Sequence, residues 1–82
     1  MALGMAIHIK VEMMPGLRVR GGEKFELELP EGAAVREMLV KLGFKEEELE
    51  PLRVFVNEKL VELEKVLKDG DDIWVGMAIG GG

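Results

Sequence analysis

Residues 24–43 read KFELELPEGAAVREMLVKLG, and two different periods meet inside this stretch. Phe25, Leu27 and Leu29 alternate with Lys24, Glu26 and Glu28, the two-residue repeat of a half-buried strand. Pro30-Glu31-Gly32 stops that repeat. Val35, Met38, Leu39 and Leu42 then fall at i, i+3, i+4 and i+7, which is one helical face. Gly43 suits the position just past the helix C-terminus. A sheet with one apolar face and a helix with one apolar stripe bury each other in two layers, the simplest solution for such elements. The helix start is weakly specified. Ala34 stands where a Ser or Thr would bond back to the backbone, three residues before Glu37. The missing cap is expected to cost about 0.5–2 kcal/mol.

On the N-terminal side, Ile7, Ile9, Val11 and Met13 alternate with His8, Lys10 and Glu12, giving another half-buried strand with His8 on its polar face. Pro15-Gly16 and Gly21-Gly22 bracket a loop, so the two strands are predicted to pair as an antiparallel hairpin with a long turn. On the C-terminal side, residues 45–50 form a charged connector closed by Pro51, and Glu46-Glu47-Glu48 reads as a solvated face. Val54-Phe55-Val56 is a short strand, Asn57-Glu58 a turn, and Leu60-Val61 a short return. Lys68-Asp69-Gly70-Asp71 is a turn whose carboxylates lack the spacing of a calcium loop. Ile73-Trp74-Val75 is the last strand. The predicted core is Ile7, Ile9, Val11, Phe25, Leu27, Leu29, Val35, Met38, Leu39, Leu42, Val54, Val56, Ile73 and Val75. Alternation then turns Phe55 and Trp74 outward.

The chain ends on Ile79-Gly80-Gly81-Gly82. Glycines contribute nothing to a core and lose the most backbone entropy on ordering. A frayed end is one reading of such a run. The other is a slim tail that enters a narrow active site of another protein and presents its carboxylate. Residues 1–79 are accordingly expected to form one domain and residues 80–82 a flexible tail. Composition narrows the chemistry. The 82 residues carry a net charge of −5, which argues against nucleic acid as a partner. No apolar run approaches a membrane span. The sequence holds no Cys, Ser, Thr or Tyr, so the usual oxygen and sulfur nucleophiles are missing, along with disulfides and any serine-borne prosthetic arm. One His cannot build a triad or a zinc site, so no metal ligands and no catalytic residues are assigned.

These segments together carry a resemblance. Residues 27–39, LELPEGAAVREML, resemble the strand-to-helix junction of the ubiquitin-like MoaD/ThiS sulfur-carrier family and the related small archaeal modifiers. Residues 54–61, VFVNEKLV, resemble its Val-Asn-Gly hairpin, and residues 67–73, LKDGDDI, its Leu-x-Asp-Gly-Asp-x-Val turn. With the terminal Gly-Gly they cover most of residues 25–82. The resemblance implies an α+β fold, the ubiquitin-like β-grasp: a mixed four- to five-stranded sheet with one main helix on one face. Departures from the pattern are Glu58 after Asn57, Ala34 for the capping Thr, Gly76-Met77-Ala78 for a proline-rich approach to the tail, and Gly80 for Ala or Ser. Gly76-Met77-Ala78 and Gly80 are expected to loosen the tail.

The resemblance implies a carrier rather than an enzyme, working in the cytoplasm. An ATP-dependent adenylyltransferase of the ubiquitin-activating type would adenylate the carboxylate of Gly82, with Gly80 and Gly81 threading into that partner. ATP and Mg would be used by the partner, with no cofactor bound to the chain. A persulfide would then convert the adenylate to a thiocarboxylate, and the sulfur would go to a synthase of molybdopterin or of the thiamine thiazole, or to tRNA thiolation. Two other readings stay open: a modifier conjugated through Gly82 to target lysines, and a non-covalent adaptor. The β-grasp order would set the strand of Phe55 beside that of Trp74, so that the two aromatics can meet, and the expected partner surface is Phe55 and Trp74, helped by Met77 and Ile79.

Overall fold

The computed structural model describes residues 5–14, 16–17 and 24–77. Alternation in sequence becomes alternation in burial. In β1 (Ala6–Met13) the buried residues are Ile7, Ile9, Val11 and Met13, while His8, Lys10 and Glu12 face solvent. β2 (Lys24–Pro30) pairs antiparallel with β1, Ile9 opposite Leu27 and Val11 opposite Phe25. The helix α1 (Val35–Lys41) follows, then a short 3-10 helix (Glu46–Glu48), β3 (Leu52–Val56), β4 (Lys59–Val61) and β5 (Asp72–Met77). The sheet has five strands in the order β2-β1-β5-β3-β4, with β5 parallel to β1 and antiparallel to β3. This is the mixed β-grasp sheet, with β5 at its centre.

The core is the inner sheet face and the apolar stripe of α1, where Val35, Met38 and Leu39 are fully buried. Three expected core residues are only half-buried: Phe25, Leu27 and Leu42. β2 is an edge strand, and a helix about 10 Å long and wide cannot cover a sheet roughly 19 Å across. Leu42 is the C-cap residue, already leaving the helical face. The remaining burial comes from Ala33, Phe44, Leu49, Leu52 and Leu67, mostly in connections without a period. The charged connector thus has a buried anchor, Leu49, just after its 3-10 turn.

The helix N-terminus is better held than its sequence suggests. The N–H groups of Val35 and Arg36 donate to the carbonyls of Lys65 and Leu63, at 2.9 and 2.8 Å. The Ala34 N–H donates to Glu37 Oε1 at 2.7 Å. Donors expected to go unpaired are therefore satisfied by a distant backbone segment. Arg36 reinforces the same junction, donating to Glu46 at 2.6 Å and Glu64 at 2.7 Å. Its hydrogen bond holds the Glu64 carboxyl below the ordinary carboxylate range, so this stabilisation is present above that range and is lost on acidification.

The Asp-Gly-Asp turn is a clip. Asp69 accepts the His8 N–H at 2.8 Å, and Asp71 accepts the Lys68 N–H at 2.8 Å and the Asn57 amide at 2.9 Å. The Asn57 carbonyl oxygen accepts the Asp72 N–H at 3.0 Å. One turn thus ties β1, the β3–β4 hairpin and the start of β5 together. That hairpin turns on Asn57 (φ 50°) and Glu58 (φ 74°), both left-handed. Asn tolerates this region; Glu does not, at a cost of about 1–2 kcal/mol. Glu58→Gly is expected to raise stability by about 0.5–1 kcal/mol, measured by urea unfolding. A loss would mean the Glu58 side chain contributes more than its backbone costs.

Candidate functional site

β5 delivers the chain towards its glycines from the middle of the sheet. β3 holds it to its end, with Leu52 paired to Met77, and β1 holds it as far as Val75, whose carbonyl accepts the Met14 N–H at 2.8 Å. Ile79, Gly80, Gly81 and Gly82, named from the sequence as tail and partner-contact residues, lie outside the described residues.

Beside that strand, the outer sheet face divides by chemistry. Across β1 and β2 it is a ladder of opposite charges, with His8 facing Glu28, Lys10 facing Glu26 and Glu12 facing Lys24. Across β5, β3 and β4 its centre is apolar, bordered by Arg53 and Asp72. Phe55 and Trp74 are directly paired, with ring centroids 5.8 Å apart and an interplanar angle of 68°, an edge-to-face contact. Leu60 lies opposite Phe55 on the other side and is 60% exposed. Trp74 is 38% exposed. Leu60, Phe55 and Trp74 therefore form one strip across three strands.

Gly76 explains the orientation of the indole. A Cβ on Gly76 would stand 2.3 Å from Cη2 and 2.4 Å from Cζ3 of Trp74. The ring lies along β5 over the bare backbone of Gly76, pointing towards the end of the strand. The sequence expectation that Gly76 loosens the approach to the tail is corrected: Gly76 is a buried strand residue that makes room for a side chain. Met77 is likewise within β5, and its register with Leu52 puts it on the helix side of the sheet, away from Phe55 and Trp74. It borders a separate groove with Leu17, Phe44, Pro51 and Leu52. The structure thus brings together Phe55 and Trp74 and sets Met77 apart from them.

Leu60 and Gly76 escaped the sequence reading. Leu60 was within reach, because a two-residue turn at 57–58 mirrors Phe55 onto residue 60. Gly76 carried no local signal. Among the described residues no group of His, Asp and Glu could hold a metal ion, and no helix is long and apolar enough to cross a membrane. What the described site offers is a surface and a fixed starting point for the tail.

The comparisons with known proteins agree with this geometry. No curated protein matches the sequence. Among solved structures, a putative molybdopterin converting factor subunit 1 from Pyrococcus furiosus is 27% identical, with a TM-score of 0.71, covering 89% of this chain and 99% of that one. Subunit 1 of the Helicobacter pylori molybdopterin-converting factor, solved in complex with subunit 2, is 25% identical with a TM-score of 0.61, covering 93% and 100%. SAMP1 of Haloferax volcanii shares the fold at 17% identity and a TM-score of 0.72, covering 92% and 99%. The ThiS family model matches residues 17–82. A small ubiquitin-like β-grasp chain matched over that span, glycines included, belongs to the ThiS family.

Proposed function

We propose that the chain carries sulfur on the carboxylate of Gly82. The observation that bears most weight is the family match, which runs through Gly80, Gly81 and Gly82 to residue 82. A carboxylate is a poor electrophile because its charge is delocalised. Attack of the Gly82 carboxylate on the α-phosphorus of ATP forms the acyl-adenylate and releases pyrophosphate, with Mg and the charge-stabilising donors supplied by the adenylyltransferase. A persulfide on a sulfur donor then attacks the acyl carbon and displaces AMP. Thiol cleavage of the resulting acyl disulfide leaves the thiocarboxylate and a disulfide on the donor side. The chain itself contributes the terminus, the slim approach that glycine gives, and a surface by which the partner grips it. The domain bounds of 1–79, with 80–82 as the tail, belong to the same proposal.

The test is intact mass of the chain after incubation with its adenylyltransferase, ATP, Mg and a persulfide donor. Exchange of one terminal oxygen for sulfur is expected. Covalent adducts on lysines of other proteins, with no such exchange, would replace the carrier with the modifier. The 27% identity to a molybdopterin converting factor subunit favours the carrier.

The grip is proposed to be the strip of Phe55, Trp74 and Leu60. Aromatic anchors in such positions cost about 2 kcal/mol or more in affinity when truncated, whereas an edge-to-face pair adds about 0.5–1.5 kcal/mol to stability. Trp74→Ala is therefore expected to weaken binding to the adenylyltransferase roughly 30-fold or more. Calorimetric affinity and thermal unfolding, measured together, separate the roles. Lost stability with unchanged affinity would assign Trp74 to the sheet alone.

A further inference from the structure

The opposite face carries a second feature, at the far edge of the sheet. Val56, Val61 and Val66 line a groove of about 270 Å³ between β4 and the segment before β5, and Lys59, Lys65 and Lys68 stand around it. Lys59 is paired with Val56 and Val61 with Val54, so both sit on the inner side of the sheet, away from Phe55 and Trp74. Among the described residues β4 is the terminal strand, with no strand beyond it. Val66 is 49% exposed.

Three lysines surround this groove. Arg36, on the helix, is answered by Glu46 and Glu64. Lys59, Lys65 and Lys68 make no ion pair among the described residues. Asp71 also lines the groove, but its oxygens already accept from the Asn57 amide and the Lys68 N–H. A chain of net charge −5 thus sets three lysines around an apolar floor beside a strand edge.

We propose that this groove docks an extended acidic segment of a partner protein, lying along β4. Its backbone would pair with the strand edge, an aliphatic side chain would rest on Val61 and Val66, and its carboxylates would meet the lysines. A phosphate backbone has no use for the apolar floor. The acidic run of a second copy is not extended: Glu46–Glu48 is a 3-10 turn, and Leu49 is buried. The groove and the aromatic strip lie on opposite faces, so both can be occupied at once. The proposal does not depend on what happens at Gly82.

The test uses the full chain and a fluorescein-labelled peptide, Asp-Glu-Val-Ile-Val-Asp-Glu with blocked ends, followed by fluorescence anisotropy. Binding is expected at low salt and should weaken as salt screens the lysines. The triple variant Lys59→Glu, Lys65→Glu, Lys68→Glu should lose roughly tenfold or more in affinity with an unchanged unfolding temperature, because all three side chains are exposed. Val66→Asp should weaken binding independently. Amide shifts should map to Lys59, Leu60, Val61 and Val66. The proposal is overturned if the wild-type chain does not bind, which is the result expected if the lysines only blunt the edge against self-pairing. It is equally overturned if a peptide with Asn and Gln for the acids binds as well, if a single-stranded oligonucleotide binds more tightly, if the triple variant binds unchanged, or if the shifts appear at Trp74.

Discussion

Deleting Gly81 and Gly82 is expected to abolish adenylation of the chain and to leave its unfolding temperature where it was. The buried core among the described residues runs from Ile7 to Val75, and β5 ends at Met77. No part of that core lies within the deleted pair. The reacting group, by contrast, is a single carboxylate whose position is set by chain length. Moving it by one residue shifts it by about 3.3–3.6 Å, and misplacements of about 1 Å can cost a factor of 100 in rate. Adding one residue after Gly82 should therefore be as damaging as removing one. The measurement is ATP–pyrophosphate exchange by the adenylyltransferase, with calorimetry on the same samples. A truncated chain that still supports exchange would refute activation at Gly82. A truncated chain that unfolds at a lower temperature would show that the glycines do pack.

The parts of this fold that could be read from sequence are those in which a period repeats. β1 announces itself through Ile7, Ile9, Val11 and Met13, and α1 through Val35, Met38 and Leu39, because each has enough turns or pleats to show its phase. Phe44, Leu49 and Leu67 are as buried as these, yet each stands in a connection where a single apolar residue has no phase. Cap chemistry failed for a related reason. A rule about residue 34 concerns neighbours in sequence, whereas the carbonyls that hold α1 come from residues 63 and 65. The site divides the same way. Phe55 and Trp74 could be placed together because strand alternation and the resemblance fixed both face and neighbour. Met77 could not be separated from them, because its face depends on β5 continuing two residues past Val75. Gly76 looked like slack in the tail. Its role appears only when the Trp74 ring is seen above it, a relation between two residues of one strand that composition does not express.

Leu39→Ala is expected to cost about 2–5 kcal/mol, and the upper half of that range is the better expectation here. Leu39 is fully buried in the centre of α1, and the Phe44 N–H donates to its carbonyl at 3.1 Å. The helix spans 7 residues, far below the length at which a helix is stable alone. Packing, with the backbone bonds at its N-terminus, therefore holds α1 in place. Removing the Leu39 side chain takes away both its transfer free energy and the contacts of the surrounding wall, and a two-turn helix tied at its N-terminus by residues 63 and 65 has little freedom to collapse into the gap. A domain of this size has a total stability of roughly 4–12 kcal/mol, so the loss is a large share of the whole. The unfolding temperature should fall by about 20–30 °C. Affinity for the adenylyltransferase, measured well below that temperature, should be unchanged, because Leu39 lies on the opposite side of the sheet from Trp74. Trp74→Ala and Leu39→Ala thus form a crossed pair, one acting mainly on binding and the other on folding. A shared loss of binding in both would mean that the outer face depends on the helix, and the division of labour between the two sides of the sheet would have to be abandoned.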